Sequence, residues 1–429
     1  MSGLLSAGLD PRLDPILYVS VQLLASAAVI GFTAPTSFLR HAVVPLLFTC
    51  SYSFLMYAKK NIPQPYAVVS SFGIFIFLLS YVSMAIISGW NFESRGPSPK
   101  IAEEKKDADS MPRDEEIKSE KKKSGSALQR LTFGLQSMLS FRDCGTPHEV
   151  KNVPPFIYND PSFVPSAAAF ITRSAVTAII CYFVIDFIES QPPPPNAAEI
   201  FSADKVSVLT RWKEITLEEV VTRIAASSGF WVIMSTTQTL FSSVVNIVSV
   251  SLGLSKVENC KALLGPMSEA YTIRGFWGKA WHQVTRKVFA TPAAYFVDEF
   301  FVFHRHSPPN TYSQIFVTFF ISGVVHAIGD WSNGLEWAHS GAIKFFYFQA
   351  AGIVVEDAVQ LIYRVITGRD LKSPPRLWTR MLGYVWVAFF LLFWTTPGWM
   401  YPTARMNLGT QDGKFIPYDF SYFRKYAKQ

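Results

Sequence analysis

The chain has 429 residues, of which 49% are hydrophobic and 15% aromatic, with a net charge of +7 and a positive mean hydropathy. Several apolar runs reach the ~20 residues needed to cross a bilayer, which rules out a soluble globular protein and indicates a polytopic membrane protein. No basic, aromatic-interleaved soluble domain is present, so no nucleic-acid partner is expected; the positive charge suits cytosolic loops beside anionic headgroups.

The N-terminal residues lack a basic region followed by an apolar core and a cleavage site, so the first run, 16–34, reads as a retained span. A second span is expected at 38–58, kinked by Pro45, and a third at 66–90, closed by Trp90 at the interface. From 93 to 123 the chain is dense in acidic and basic residues of nearly balanced sign. Such a stretch buries too little apolar surface to offset its conformational entropy and reads as a disordered loop. A short amphipathic helix at 128–139 would lie on the membrane.

A fourth span, 167–188, carries Arg173 and Asp186 near its ends, where snorkelling accounts for both. Residues 222–254 exceed one span and form either a long tilted helix or a helix with a broken end. Gln238 and Asn246 within it are expected to bond neighbouring helices. After a basic, non-spanning stretch at 255–310, spans at 312–331, 342–366 and 382–399 complete the set. The expected fold is all-α: a polytopic transmembrane helical bundle of about 8 spans with an amphipathic motif-bearing loop. Its divisions are N-terminal transmembrane helices (1–90), a charged, largely disordered loop (91–165) and a C-terminal core (166–429).

Cys50, Cys144, Cys181 and Cys260 are far apart without CxxC spacing and indicate neither a metal site nor a disulfide framework. His304 and His306, near Asp298 and Glu299, lack further spaced ligands and read as a polar loop rather than a metal site. No metal is expected.

The sixth span carries the clearest chemistry. Thr318, Ser322, His326 and Asp330 are spaced four apart, which places them on one helical face amid phenylalanine, isoleucine and valine. Gly323 permits close approach of another backbone or a ligand. A histidine at membrane depth faces a bundle interior or a wet cavity, and Asp330 one turn on would orient its ring and raise its basicity. In the seventh span, Glu356, Gln360 and Arg364 share a face, which allows an ion pair within the helix; Glu356 and Asp357 are also second-rank candidates for a cavity wall.

The basic stretch holds Arg274, Trp277, Gly278, Lys279, Trp281, His282 and Arg286. On a continuous helix, Arg274, Gly278, His282 and Arg286 share one face, with Lys279 beside them and Trp277 and Trp281 as an adjacent aromatic stripe. Two readings stay open: an interfacial anchor, or a cationic cleft in which Arg274, Lys279 and Arg286 meet the phosphates of a donor.

FWGKAWHQ followed, forty-four residues after its His282, by FFISGVVHAIGDW resembles the membrane-bound O-acyltransferase superfamily. Within its wax-synthase-like branch the chain is most similar to fungal enzymes that acetylate terpenoid and meroterpenoid secondary metabolites. The resemblance covers the C-terminal half and makes 166–429 a wax-synthase-like acyltransferase core. It implies His326 as the catalytic histidine and His282 as the second important polar position. Plant wax synthases often place an acid directly after the helix histidine; here Ala327 stands there and the acid is Asp330.

The implied reaction transfers an acyl group from acetyl-CoA, or another acyl-CoA co-substrate, to an alcohol, with no tightly bound cofactor. His326 would be the general base and His282 a donor to the developing oxyanion. No GxSxG motif is present, so a covalent acyl-enzyme is not expected. The alternatives are a long-chain wax-ester or sterol-ester synthase and a non-enzymatic transporter or lipid-binding protein; the latter predicts inverted repeats or paired broken helices, which the sequence lacks. The basic loops 255–310 and 364–380 are expected on the cytosolic side of the endoplasmic reticulum, opposite the turn at 332–340.

Overall fold

The structure is a computed structural model and describes residues 14–98, 125–368, 375–408 and 413–426. Its long helices are α1 (Asp14–Phe32), α2 (Leu39–Asn61), α3 (Tyr66–Ile87), α4 (Ala127–Leu139), α5 (Ala167–Ser190), α6 (Leu217–Ser251), α7 (Arg286–Phe300), α8 (Pro308–Ser332), α9 (Ala342–Thr367) and α10 (Leu377–Met406). All except α4 and α7 are long and apolar enough to cross a membrane, eight in the described residues. The protein is therefore a multi-pass membrane protein, and the described residues contain no strand beyond an isolated bridge between Asn91 and Gly96.

Local chemistry sets the helix ends. Ser307 caps α8 by accepting from the Asn310 N–H, with prolines in the first turn, where a missing N–H costs nothing. Gly368, at φ 64°, closes α9 in the left-handed conformation that glycine adopts without strain. Pro45 does more than kink α2: the helix is interrupted at Val43 and restarts at Val44 with the proline in its first turn. α6 is one unbroken helix of 35 residues, about 52 Å long and so longer than the ~30 Å hydrocarbon core. α3 and α10 each contain a π-helical segment, Val82–Ile87 and Phe389–Thr395.

The connections sort to two faces of the bundle. On one, Gln64 bonds the Asn333 carbonyl, Arg405 bonds Phe201 O at 2.6 Å, and the Phe415 N–H reaches Glu189 at 2.6 Å. On the other, Arg142 bonds Ala262 O at 2.6 Å, Lys287 pairs with Asp143 at 2.5 Å, and Asn152 donates to Gly278 O at 2.8 Å. Asp186 is not a snorkelling residue. It is fully buried and accepts from Ser421 Oγ and the Tyr422 and Phe423 N–H groups, anchoring the C-terminal turn.

The disordered-loop expectation for 91–165 needs correcting in its second part. α4 opens with a capping box between Ser126 and Gln129 and seats against α1, where a Cβ on Gly134 would lie 2.1 Å from Ala27 O. Residues 140–153 then brace the motif segment through the bonds just given. Residues 103–123, the most highly charged part, lie outside the described residues.

The basic stretch is not a surface loop throughout. The Ile273 N–H bonds Glu356 on α9, Trp277 bonds Gln349 two turns earlier on that helix, and Phe289 joins Val325 of α8 in a buried cluster. α7 then runs back along α8 until Asp298 accepts from Asn310 at 3.0 Å. The stretch thus descends along α9 and returns along α8, entering the bundle from one face without crossing it.

Candidate active site

His326 sits one turn after Ser322 on α8, and its Nδ1 lies 2.7 Å from the Ser322 carbonyl oxygen. A carbonyl only accepts, so Nδ1 carries the proton and Nε2 holds the lone pair. The ring is enclosed by Phe346 at 4.5 Å, Phe72 at 4.9 Å and Trp399 at 5.1 Å, the last edge-on at 88°. It is only half-buried despite this cage. Gly323 makes the enclosure possible: a Cβ there would come within 2.9 Å of the Ile343 Cα, so α9 approaches close enough to bring Phe346 onto the imidazole.

Asp330 shares the face of His326, as expected, but makes no hydrogen bond to it. Its Oδ2 accepts from Ser340 Oγ at 2.6 Å and from Trp399 Nε1 at 3.2 Å. The orienting acceptor is the helix's own Ser322 carbonyl, and Asp330 reaches His326 only through Trp399. Since Asp330→Asn keeps one oxygen for both donors, it should change turnover only a few-fold; Trp399→Phe removes a bond to a carboxylate and should cost about 1.5–3 kcal/mol. Thermal melts and kcat of the two variants check this ordering, and equal losses would refute it.

The motif residues do not form one continuous helix. A short turn, Ile273–Gly275, passes into a π-helical turn, Phe276–Ala280. Trp281 is extended, and α7 begins only at Arg286. The expected single face of Arg274, Gly278, His282 and Arg286 is therefore broken, and Trp277 and Trp281 turn inward. Trp277 packs on Phe319 at 5.6 Å and Phe346 at 5.7 Å, while Trp281 meets Trp231 of α6 edge-on at 4.9 Å. The aromatic stripe is half-buried packing against α6, α8 and α9, not an interfacial belt.

His282 stands beside Trp281, ring to ring at 5.1 Å, and its Nδ1 is buried without a hydrogen-bond partner among the described residues. Burial pushes its pKa down to about 3, and the fields of His326 and Arg142 act in the same direction. The ring is thus neutral at physiological pH.

The three cations have different environments. Arg274 pairs with Asp357, which also accepts from Tyr312 at 3.1 Å. Lys279 pairs with Glu269 at 2.7 Å in a half-exposed ion pair, a type that contributes about 0–1 kcal/mol and exchanges readily. Among the described residues Arg286 bonds only neutral acceptors: the Lys151 and Gly278 carbonyls at 3.3 Å and Gln283 Oε1 at 3.0 Å. Glu356 forms no ion pair with Arg364; it accepts from the Ile273 N–H, Trp386 Nε1 and Gln360 Nε2. Both acids of the seventh span therefore hold the motif segment.

Sequence reasoning missed Phe72, Trp399 and Gln349. Gln349 had a usable signal, an isolated amide in an apolar span, whereas Phe72 and Trp399 look like ordinary lipid-facing or interfacial aromatics. Among the described residues no His, Cys, Asp or Glu cluster could hold a metal, and all four cysteines are free and buried.

The membrane bound O-acyl transferase family matches residues 260–348, the segment that contains both histidines. Acetyltransferase fsoF of Humicola fuscoatra is 30% identical over 90% of this chain and 96% of its own length. Acetyltransferase aurG of Calcarisporium arbuscula is 32% identical over 88% of this chain and 90% of its own.

Proposed function

The chain belongs to the membrane bound O-acyl transferase family, and from that premise we propose that His326 Nε2 is the general base of acetyl transfer from acetyl-CoA to a hydroxyl of a hydrophobic secondary metabolite, a terpenoid or meroterpenoid. The observation that carries the assignment is the Nδ1 bond to the Ser322 carbonyl, which leaves the Nε2 lone pair for the acceptor. As Nε2 takes the hydroxyl proton, the alkoxide oxygen attacks the thioester carbonyl. The C–S bond then breaks, and the thiolate of coenzyme A leaves and receives the proton. The aromatic enclosure limits water, which would otherwise hydrolyse the thioester.

His282 is the proposed oxyanion donor. It is neutral, it carries a single N–H, and its Nδ1 has no hydrogen-bond partner among the described residues. Acetyl is favoured over a long acyl chain because the relatives covering most of this chain bear the name acetyltransferase. The endoplasmic reticulum, with the motif face toward cytosolic acyl-CoA, fits the basic residues gathered on that face.

For the donor phosphates, Arg286 ranks first, because among the described residues no carboxylate bonds it and offsets its charge. Lys279 follows through an exchangeable ion pair, and Arg274 is committed to Asp357. Trp277 and Trp281 would line the acyl end of the site. Arg286→Gln should raise the donor KM about tenfold or more, the worth of one charge-assisted hydrogen bond, and leave the acceptor KM unchanged. Arg274→Gln should instead lower stability. An unchanged donor KM in Arg286→Gln removes it from the phosphate site. The function itself is tested by incubating membranes carrying the protein with labelled acetyl-CoA or palmitoyl-CoA and a panel of terpenoid and fatty alcohols. Transfer of palmitoyl alone would overturn the acetyl assignment.

A further inference from the structure

We propose that Glu356 and Gln349, seven residues apart on one face of α9, form a clamp that seats the motif segment 273–283 and so positions Trp277 and His282 for the reaction. The inference rests on the acyl-transfer reading above. Ile273 is the first residue of the short helical turn, so its N–H has no intrahelical partner. Glu356 Oε2 supplies the acceptor at 2.6 Å and also accepts from Trp386 Nε1 of α10 at 3.2 Å.

Four residues on, Trp277 Nε1 donates to Gln349 Oε1 at 3.1 Å. The Gln349 amide nitrogen donates to Phe345 O at 3.2 Å and to Thr395 Oγ1 at 3.1 Å, and Thr395 donates to Phe390 O at 2.8 Å inside the π-helical segment of α10. Because an indole N–H only donates and a carbonyl only accepts, the orientation of this amide is decided by its neighbours. Between the two anchors, a Cβ on Gly352 would lie 2.8 Å from Ile273 Cδ1 and 2.6 Å from Phe390 Cζ. The motif segment therefore packs directly against the helix at a position that carries no side chain.

Both anchors are buried, Gln349 fully and Glu356 with 6% exposed. Polar groups are costly at such positions unless satisfied, and here each is satisfied by the motif segment and by α10 together. Neither touches His326. Their effect passes through Trp277, which packs on Phe346, which in turn packs on the imidazole. They are positioning residues.

The test uses the full-length protein in phosphatidylcholine nanodiscs and reads amide hydrogen exchange across 273–283 together with kcat and donor KM. Glu356→Leu and Gln349→Leu should each raise exchange in that segment by about tenfold or more, leave exchange in α1–α3 unchanged, and lower kcat. Glu356→Gln keeps one oxygen for the Ile273 and Trp386 donors and should restore protection and turnover. A uniform loosening of the whole bundle, unrescued by Gln, would mean ordinary structural support and overturn the clamp; so would unchanged exchange at 273–283 in the leucine variants. If Glu356→Leu does not accumulate, Gln349→Leu frees Trp277 alone and decides the matter. A parent protein that transfers no acyl group, with exchange still responding as described, would sink the acyl-transfer reading and leave the clamp standing.

Discussion

His326→Ala should abolish measurable acyl transfer while the protein accumulates in membranes near the parent level. General-base catalysis contributes roughly 10²–10⁴-fold, and the rings packed on the imidazole, Phe72, Phe346 and Trp399, accept no proton in its place. The fold should tolerate the change, since among the described residues the only hydrogen bond lost is to the Ser322 carbonyl of the same helix turn. Initial rates with labelled acetyl-CoA, normalised to folded protein, measure it. Retention of more than about a tenth of parental kcat would make His326 a structural residue and remove the proposed base.

His282→Ala should depress kcat by about 10²–10³, the range for losing one oxyanion donor, with a smaller effect on donor KM. A change confined to KM would reassign the residue to donor binding. His282 also predicts a pH effect of definite sign. Burial holds its folded pKa at about 3, below the ~6.5 of an unfolded histidine. Between those values the unfolded chain binds the extra proton, so the stabilising contribution is complete above about pH 6.5 and is lost progressively as pH falls toward 3. His282→Gln cannot titrate and should lose less stability over that window. Thermal melts at several pH values compare the two, and identical slopes would refute the neutral, buried assignment. Because His282 stays uncharged above about pH 4, any acidic limb of the rate profile nearer neutrality should persist in His282→Gln if the variant retains measurable activity.

Several features were determined by the sequence alone, because their causes are local. Spanning length and hydropathy are properties of short windows, so eight crossings were legible, although Pro45 interrupts its helix more fully than a kink. His326 and Asp330 were legible as one face because helical periodicity needs no knowledge of the rest of the fold. The pairing of the two histidine motifs was legible through family resemblance.

What tertiary structure alone decided were the partners. Asp330 lies one turn from His326, and sequence made it the orienting group; instead it bonds Ser340 and Trp399, the latter 69 residues away. Glu356 lies one turn from Gln360 and two from Arg364, yet it also serves the Ile273 N–H 83 positions earlier. The motif read as an amphipathic surface helix because its apolar and cationic residues recur at helical spacing. A segment packed on both α8 and α9 buries those same aromatics, and spacing cannot tell lipid from neighbouring helices as the apolar partner. Hydrogen-bonding groups inside a membrane protein must be satisfied, but which distant group satisfies them depends on how the helices cross. In this chain that crossing depends on contacts such as Gly323 of α8 against the Ile343 backbone of α9.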